Sequence, residues 1–150
     1  MVKLARERAA GAEVVLASAE SVPFADASFS AVAMSIVFFF LTNPVAVLRE
    51  CCRVLRPGGR IAVYTTGPEL RGTRAAPEPI ASRGHFYTDA ALAELARRAG
   101  LSDVEVHNHR GGQLLTAATE HSAQRRVRLS PALGDQGSGS SRGGDRLTRS

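Results

Sequence analysis

Apolar and polar positions fall along this chain in blocks with different periods. Ala31 to Leu41 is an apolar run broken only by Ser35. A strand with one wet face would alternate, so the run is expected to be a strand buried on both faces, between layers of helices. A buried helix segment is the rival, but Thr42-Asn43-Pro44 closes the run and its bulky, β-branched content favours a strand. Leu48, Cys51, Cys52 and Leu55 then recur at helical spacing, with Arg49, Glu50, Arg53 and Arg56 left for the wet face. Asn43 suits an N-cap and Pro44 the first helical position. Arg56-Pro57-Gly58-Gly59 should end the helix, because proline cannot continue it and glycine permits a left-handed turn. Ile61 to Tyr64 opens the next strand, which makes a right-handed βαβ unit.

Around this unit the pattern is shorter in range. Val2 to Ala10 has helical composition and Gly11 as a stop. Val14 to Ala17 reads as a short strand, Ser18 to Phe24 as a loop, and Ala25 to Ser28 as a turn. Residues 67–84 hold three glycines and three prolines and read as a long loop. Thr88 caps a second helix with Leu92, Leu95, Ala96 and Ala99 on its apolar face and Gly100 as its stop. Val104 and Val106 alternate with Glu105 and His107, Gly111-Gly112 turns the chain, and Gln113 to Ala118 returns as an antiparallel partner. A domain over 1–119 and a basic Gly/Ser/Arg-rich tail over 120–150, unable to bury enough surface to fold, are expected.

Charge sharpens that division. The net charge is +5, and His121 to Ser150 carries six arginines against two aspartates. The first 120 residues are therefore close to neutral. The arginines of the tail lack interleaved aromatics, so a solvated tail is expected rather than a nucleic-acid partner. The two cysteines, Cys51 and Cys52, are adjacent and not placed to pair, which points to a reducing cytoplasm. No secretory signal is read at the start, where Arg6-Glu7-Arg8 follows Leu4. The 31–41 run is short of the roughly 20 residues a membrane span takes. His107 and His109 share a strand face without an evident third ligand.

Specific residues also carry a resemblance. Glu20-Ser21-Val22-Pro23-Phe24-Ala25-Asp26-Ala27-Ser28-Phe29-Ser30-Ala31-Val32 resembles the "AE-x-LPF-x-D-x-SFD-x-V" segment of class I S-adenosyl-L-methionine (SAM)-dependent methyltransferases of the type-11-like, small-molecule branch. Asn43-Pro44, Leu48-Arg49-Glu50 and Arg53-Val54-Leu55-Arg56-Pro57-Gly58-Gly59 resemble its "DP…L-x-E…RVL-x-PGG" signature. His85 to Thr88 and the helix after it, ending Ala99-Gly100-Leu101, resemble a later segment of the family.

That resemblance implies an α/β, Rossmann-like sheet in the order 3-2-1-4-5-7-6, with strand 7 antiparallel. On that map 14–17 is strand 3, 31–37 strand 4, 60–66 strand 5, 103–108 strand 6 and 112–118 strand 7. Strands 1 and 2 have no counterpart in this sequence, and neither has the family's glycine-rich G-x-G-x-G turn or its ribose-binding acid. An incomplete domain is the expected reading, with an open edge on strand 4 through which chains could self-associate. The resemblance further implies SAM as cofactor. Ser18, Ala19 and Glu20 would meet the adenine, Met34, Ser35 and Ile36 the methionine part, and Phe39 and Phe40 a small-molecule substrate. An ordinary strand-to-loop exit at Ser18 and plain core packing of the phenylalanines are the alternatives. At the level of function, the alternative to a methyltransferase is an inactive remnant that binds no SAM.

Overall fold

The computed structural model describes residues 4, 7–9 and 11–120. Leu4, Glu7 and Arg8 are helical. The rest of the expected opening helix, and the expected tail beyond Glu120, lie outside the described residues. The elements are β1 (Phe29–Ser35), α1 (Pro44–Val54), β2 (Leu55–Thr66), α2 (Ile80–Arg83), α3 (Asp89–Arg98), β3 (Leu101–His109) and β4 (Gly112–Thr119). They form one four-stranded sheet in the order β1-β2-β4-β3. β1 runs parallel to β2, while β4 is antiparallel to both β2 and β3. This is the 4-5-7-6 part of the sheet order implied by the sequence.

Local chemistry explains the elements that match expectation. The Asn43 side chain accepts from the Ala46 N–H at 3.2 Å, and Pro44 occupies the first turn of α1. Thr88 caps α3 by accepting from the Ala91 N–H at 3.3 Å. The β3–β4 hairpin turns on Arg110 and Gly111, both at positive φ (50° and 81°). That geometry belongs to a two-residue type I′ turn, where the second position asks for glycine. The core lies between the sheet and the two long helices: Leu48 of α1 and Leu92 and Ala96 of α3 pack on Ile61, Val63 and Leu115.

Four expectations need correction. The apolar run does not stay in a strand as far as Leu41: β1 ends at Ser35, and Phe38 to Phe40 wind into a single 3-10 turn. Nor is β1 buried on both faces, since Ala31, Ala33 and Ser35 are exposed. Both long helices cover the same side of the sheet, and the other side presents Tyr64 and Leu114 to solvent. Val14 to Ala17 is extended but belongs to no strand, because no described strand lies beside it to complete the backbone ladder. Finally, Arg56 to Gly59 is not a plain break between elements. Leu55 already pairs with Phe29 and Arg60 with Ala31, so the Pro-Gly-Gly segment bulges out within β2. The expected 67–84 loop contains a 3-10 turn, Pro68–Leu70, and the four-residue α2.

Candidate cofactor site

The carboxyl end of β1 is the most distinctive place in the fold. Ile36 follows the last strand residue and has φ +57°, a left-handed conformation that a β-branched side chain adopts only under constraint. Its N–H donates to the Tyr64 carbonyl at 2.9 Å, which holds it against β2. The chain then turns sharply, leaving Ile36, Val37 and Phe40 about half exposed while Phe38 and Phe39 go inward. Phe39 lies against Phe40 and Phe86 with ring centroids 4.4 and 5.9 Å away, and its carbonyl accepts from the His85 N–H at 2.7 Å. Phe38 meets Tyr87 edge-on. Exposed apolar groups beside a strained backbone are what an enclosed ligand would cover.

The loop before β1 is tied to α1 by one arginine. Arg53 grips Glu50 with two parallel bonds of 2.7 and 2.8 Å and reaches Asp26 at 2.6 Å. The same guanidinium donates to the carbonyls of Phe24 (2.8 Å) and Val22 (3.1 Å), and the Arg53 carbonyl accepts from the Ala27 N–H. Glu50 in turn accepts from the Val22 N–H at 2.8 Å. The Arg53 hydrogen bonds, followed by that N–H, bring the Glu50 carboxyl down from 4.5 to about 2. Pairing with Glu50 and then Asp26 raises the guanidinium pKa. The knot pins Val22 to Ala27, directly downstream of Ser18, Ala19 and Glu20. There the Ser18 hydroxyl accepts from the Glu20 N–H at 3.2 Å, closing a small turn.

A second polar group at this end of β2 escaped sequence reasoning. Gln113 is 1% exposed and donates to the Tyr87 carbonyl (3.1 Å) and the Asp89 carboxylate (2.6 Å). Asn108 donates to the same carboxylate. The Gln113 Oε1 and the hydroxyl of its cross-strand neighbour Thr65 are both buried without a hydrogen-bond partner. A lone glutamine opening the apolar Gln113–Ala118 strand was the available signal, but only the register puts it on the covered face.

The other candidates resolve plainly. Cys51 and Cys52 are free, and burial raises both thiols to about 11, so neither is a nucleophile at neutral pH. His107 contacts Glu105 at 3.2 Å, and no cluster of three metal-ligating side chains occurs among the described residues. No helix among them is long and apolar enough to cross a membrane.

Comparison with known proteins points to methyltransferases. A family model described as a methyltransferase domain matches residues 1–63. A malonyl-[acyl-carrier protein] O-methyltransferase of Methylococcus capsulatus is 30% identical over 113 residues, 71% of this chain and 41% of its own length. A ubiquinone/menaquinone biosynthesis C-methyltransferase of Chromobacterium violaceum is 46% identical over 50 residues, 33% of this chain and 20% of its own length. Among solved structures, a SAM-dependent methyltransferase of Thermotoga maritima superimposes with a TM-score of 0.70 at 21% identity, covering 80% of this chain and 69% of that one.

Over residues 1–63 the chain matches a methyltransferase domain, and its sheet has the fold of SAM-dependent methyltransferases.

The chain spans less than half the length of these curated relatives. Its residues fit SAM on one side. The Ser18 hydroxyl and exposed Glu20 offer polar partners, and Ile36 offers an apolar edge held by backbone bonding. Enclosure is less complete. Ala19 lines an apolar cleft of about 230 Å³ with Val22, Phe29, Val32 and Cys51, on the helix side of β1. A second cleft of about 310 Å³ lies on the bare face, over Ala31, Ala33, Arg60 and Ala62. Neither cleft joins Ala19 to Met34, Ser35, Ile36, Phe39 or Phe40. The first falls below, and the second at the bottom of, the roughly 300–1,000 Å³ usual for ligand pockets.

Proposed function

We propose that this chain supplies one wall of the SAM site in a methyltransferase that acts on a small molecule. The strained Ile36 at the carboxyl end of β1 carries the reading, because ligands of open α/β sheets gather beyond those strand ends. In this reading Ser18, Ala19 and Glu20 face the adenine, and Met34, Ser35 and Ile36 face the methionine part. The half-exposed Phe40 is the apolar surface offered to the acceptor. Phe39, 3% exposed, stands behind it as packing rather than as pocket wall. SAM supplies a methyl group already activated by its sulfonium, so the residues here need only bind and align. Two unpaired cysteines accord with a cytoplasmic setting.

A second reading is that the chain is an inactive remnant that binds no SAM. Isothermal titration with S-adenosylhomocysteine separates the two. The first reading expects saturable binding that weakens in the Glu20→Ala variant. No heat of binding at any attainable concentration supports the second.

A further inference from the structure

Residues 67–87 leave β2, pass the Phe38–Phe40 turn and lead into α3. Each end of this segment is tied to the body of the fold. The Gly67 N–H donates to the Gly111 carbonyl at 2.8 Å, and the His85 N–H meets the Phe39 carbonyl. Between these ties Arg71 fastens the segment to itself. Its Nε donates to the Ala81 carbonyl at 2.7 Å, and its guanidinium carbon lies 5.8 Å from the centre of the Phe86 ring. Phe86 stacks on Phe39 with 11° between the ring planes, and Phe39 lies against Phe40. A strip of side chains thus runs from the guanidinium through Phe86 and Phe39 to the half-exposed Phe40.

Arg71 differs from Arg53 in what it has left to offer. Arg53 has every nitrogen engaged, by Glu50, Asp26 and two carbonyls. Arg71 is fixed through Nε, and among the described residues its two terminal nitrogens have no hydrogen bond and no carboxylate within ion-pair range. Glu69, two residues before it, turns its carboxylate back over Gly67. An arginine normally loses side-chain freedom when it grips a ligand, and here the Nε bond and the ring contact have already taken up part of that loss. The planar fork that remains matches the two oxygens of a carboxylate.

We propose that Arg71 is the anion-recognising residue of the acceptor site, and that the acceptor is an apolar or aromatic molecule bearing a carboxylate. The terminal nitrogens of Arg71 take the carboxylate, and the apolar body lies along Phe86 and Phe40. One guanidinium balances one negative charge, which favours a carboxylate over a doubly charged phosphate ester. The proposal rests on the reading of Phe40 as the acceptor surface.

Titration of the labelled full chain with 4-hydroxybenzoate, and with 4-hydroxybenzamide as its neutral counterpart, tests it without SAM present. The acid should shift the amides of Arg71, Phe86 and Phe40 and bind about fivefold more tightly than the amide, the upper end for an exposed ion pair. Arg71→Gln, at an exposed position, should keep the far-UV spectrum and bring the acid down to the affinity of the amide. Equal affinity of the wild-type chain for acid and amide overturns the proposal, and that comparison needs no variant. So does a preference for the acid that survives Arg71→Gln, and so does the lack of any shift at Arg71 up to the solubility limit of the acid. Titration with S-adenosylhomocysteine keeps the two readings apart. Shifts at Ser18 to Glu20 without a preference for the acid sink this proposal alone, whereas the preference without those shifts sinks the donor-wall reading alone.

Discussion

Ile36 offers a test of the site's geometry that needs no ligand. Ile36→Ala and Ile36→Gly both remove the same half-exposed side chain, so burial cancels to first order between them. What differs is the backbone. At φ +57° a residue with a Cβ carries about 1–2 kcal/mol of left-handed strain, which glycine does not. Glycine gives back about 0.5–1 kcal/mol through the greater freedom of its unfolded chain. The balance is about 1 kcal/mol in favour of glycine, the opposite of the order at an ordinary strand position. Urea unfolding followed by far-UV circular dichroism, with equal m-values for the two variants, reads this difference directly. An alanine variant as stable as the glycine variant, or more so, would refute the claim that β1 ends in a strained turn.

Three further outcomes follow from the packing and the charges. Leu48→Ala, at a fully buried position between α1 and the sheet, should cost about 2–5 kcal/mol, whereas the half-exposed Phe40→Ala should stay within about 1 kcal/mol; thermal melts compare them. Thr65→Val replaces a buried hydroxyl that has no partner by an isosteric methyl and should raise stability by about 1 kcal/mol in the same urea assay; a loss would contradict the assignment of Thr65 as unpaired. Glu50, depressed from 4.5 to about 2, binds its proton more weakly folded than unfolded. Its contribution is therefore complete above about pH 4.5 and drains away as pH falls toward 2. Glu50→Gln should flatten that part of the stability–pH curve, and an unchanged curve would show that the Arg53 knot does not hold in solution.

What the sequence disclosed, and what it hid, divides along the range of the interactions. α1 and α3 were legible because Asn43-Pro44 and Thr88 cap them locally, and the hairpin because Gly111-Gly112 signals a turn, which the structure sets one residue earlier, on Arg110 and Gly111. The sheet order was legible through the family motif rather than through periodicity. β1 was misjudged at both its end and its faces. An apolar run says that burial is wanted, but not where the chain must turn, and Phe38 and Phe39 satisfied it in a tight turn against Tyr87 and Phe86. Val14 to Ala17 has strand composition, yet a strand exists only with a neighbour. The Arg53 knot joins residues up to 31 apart, and Thr65 and Gln113 meet only through β-register. Neither pairing has any signature in local spacing.

Backbone amide shifts of the labelled chain, recorded during titration with S-adenosylhomocysteine, bear most directly on the donor-wall reading. Shifts concentrated at Ser18 to Glu20 and at Met34 to Ile36, saturating together, are the predicted result. Perturbation confined to other elements, or none at all, would contradict it.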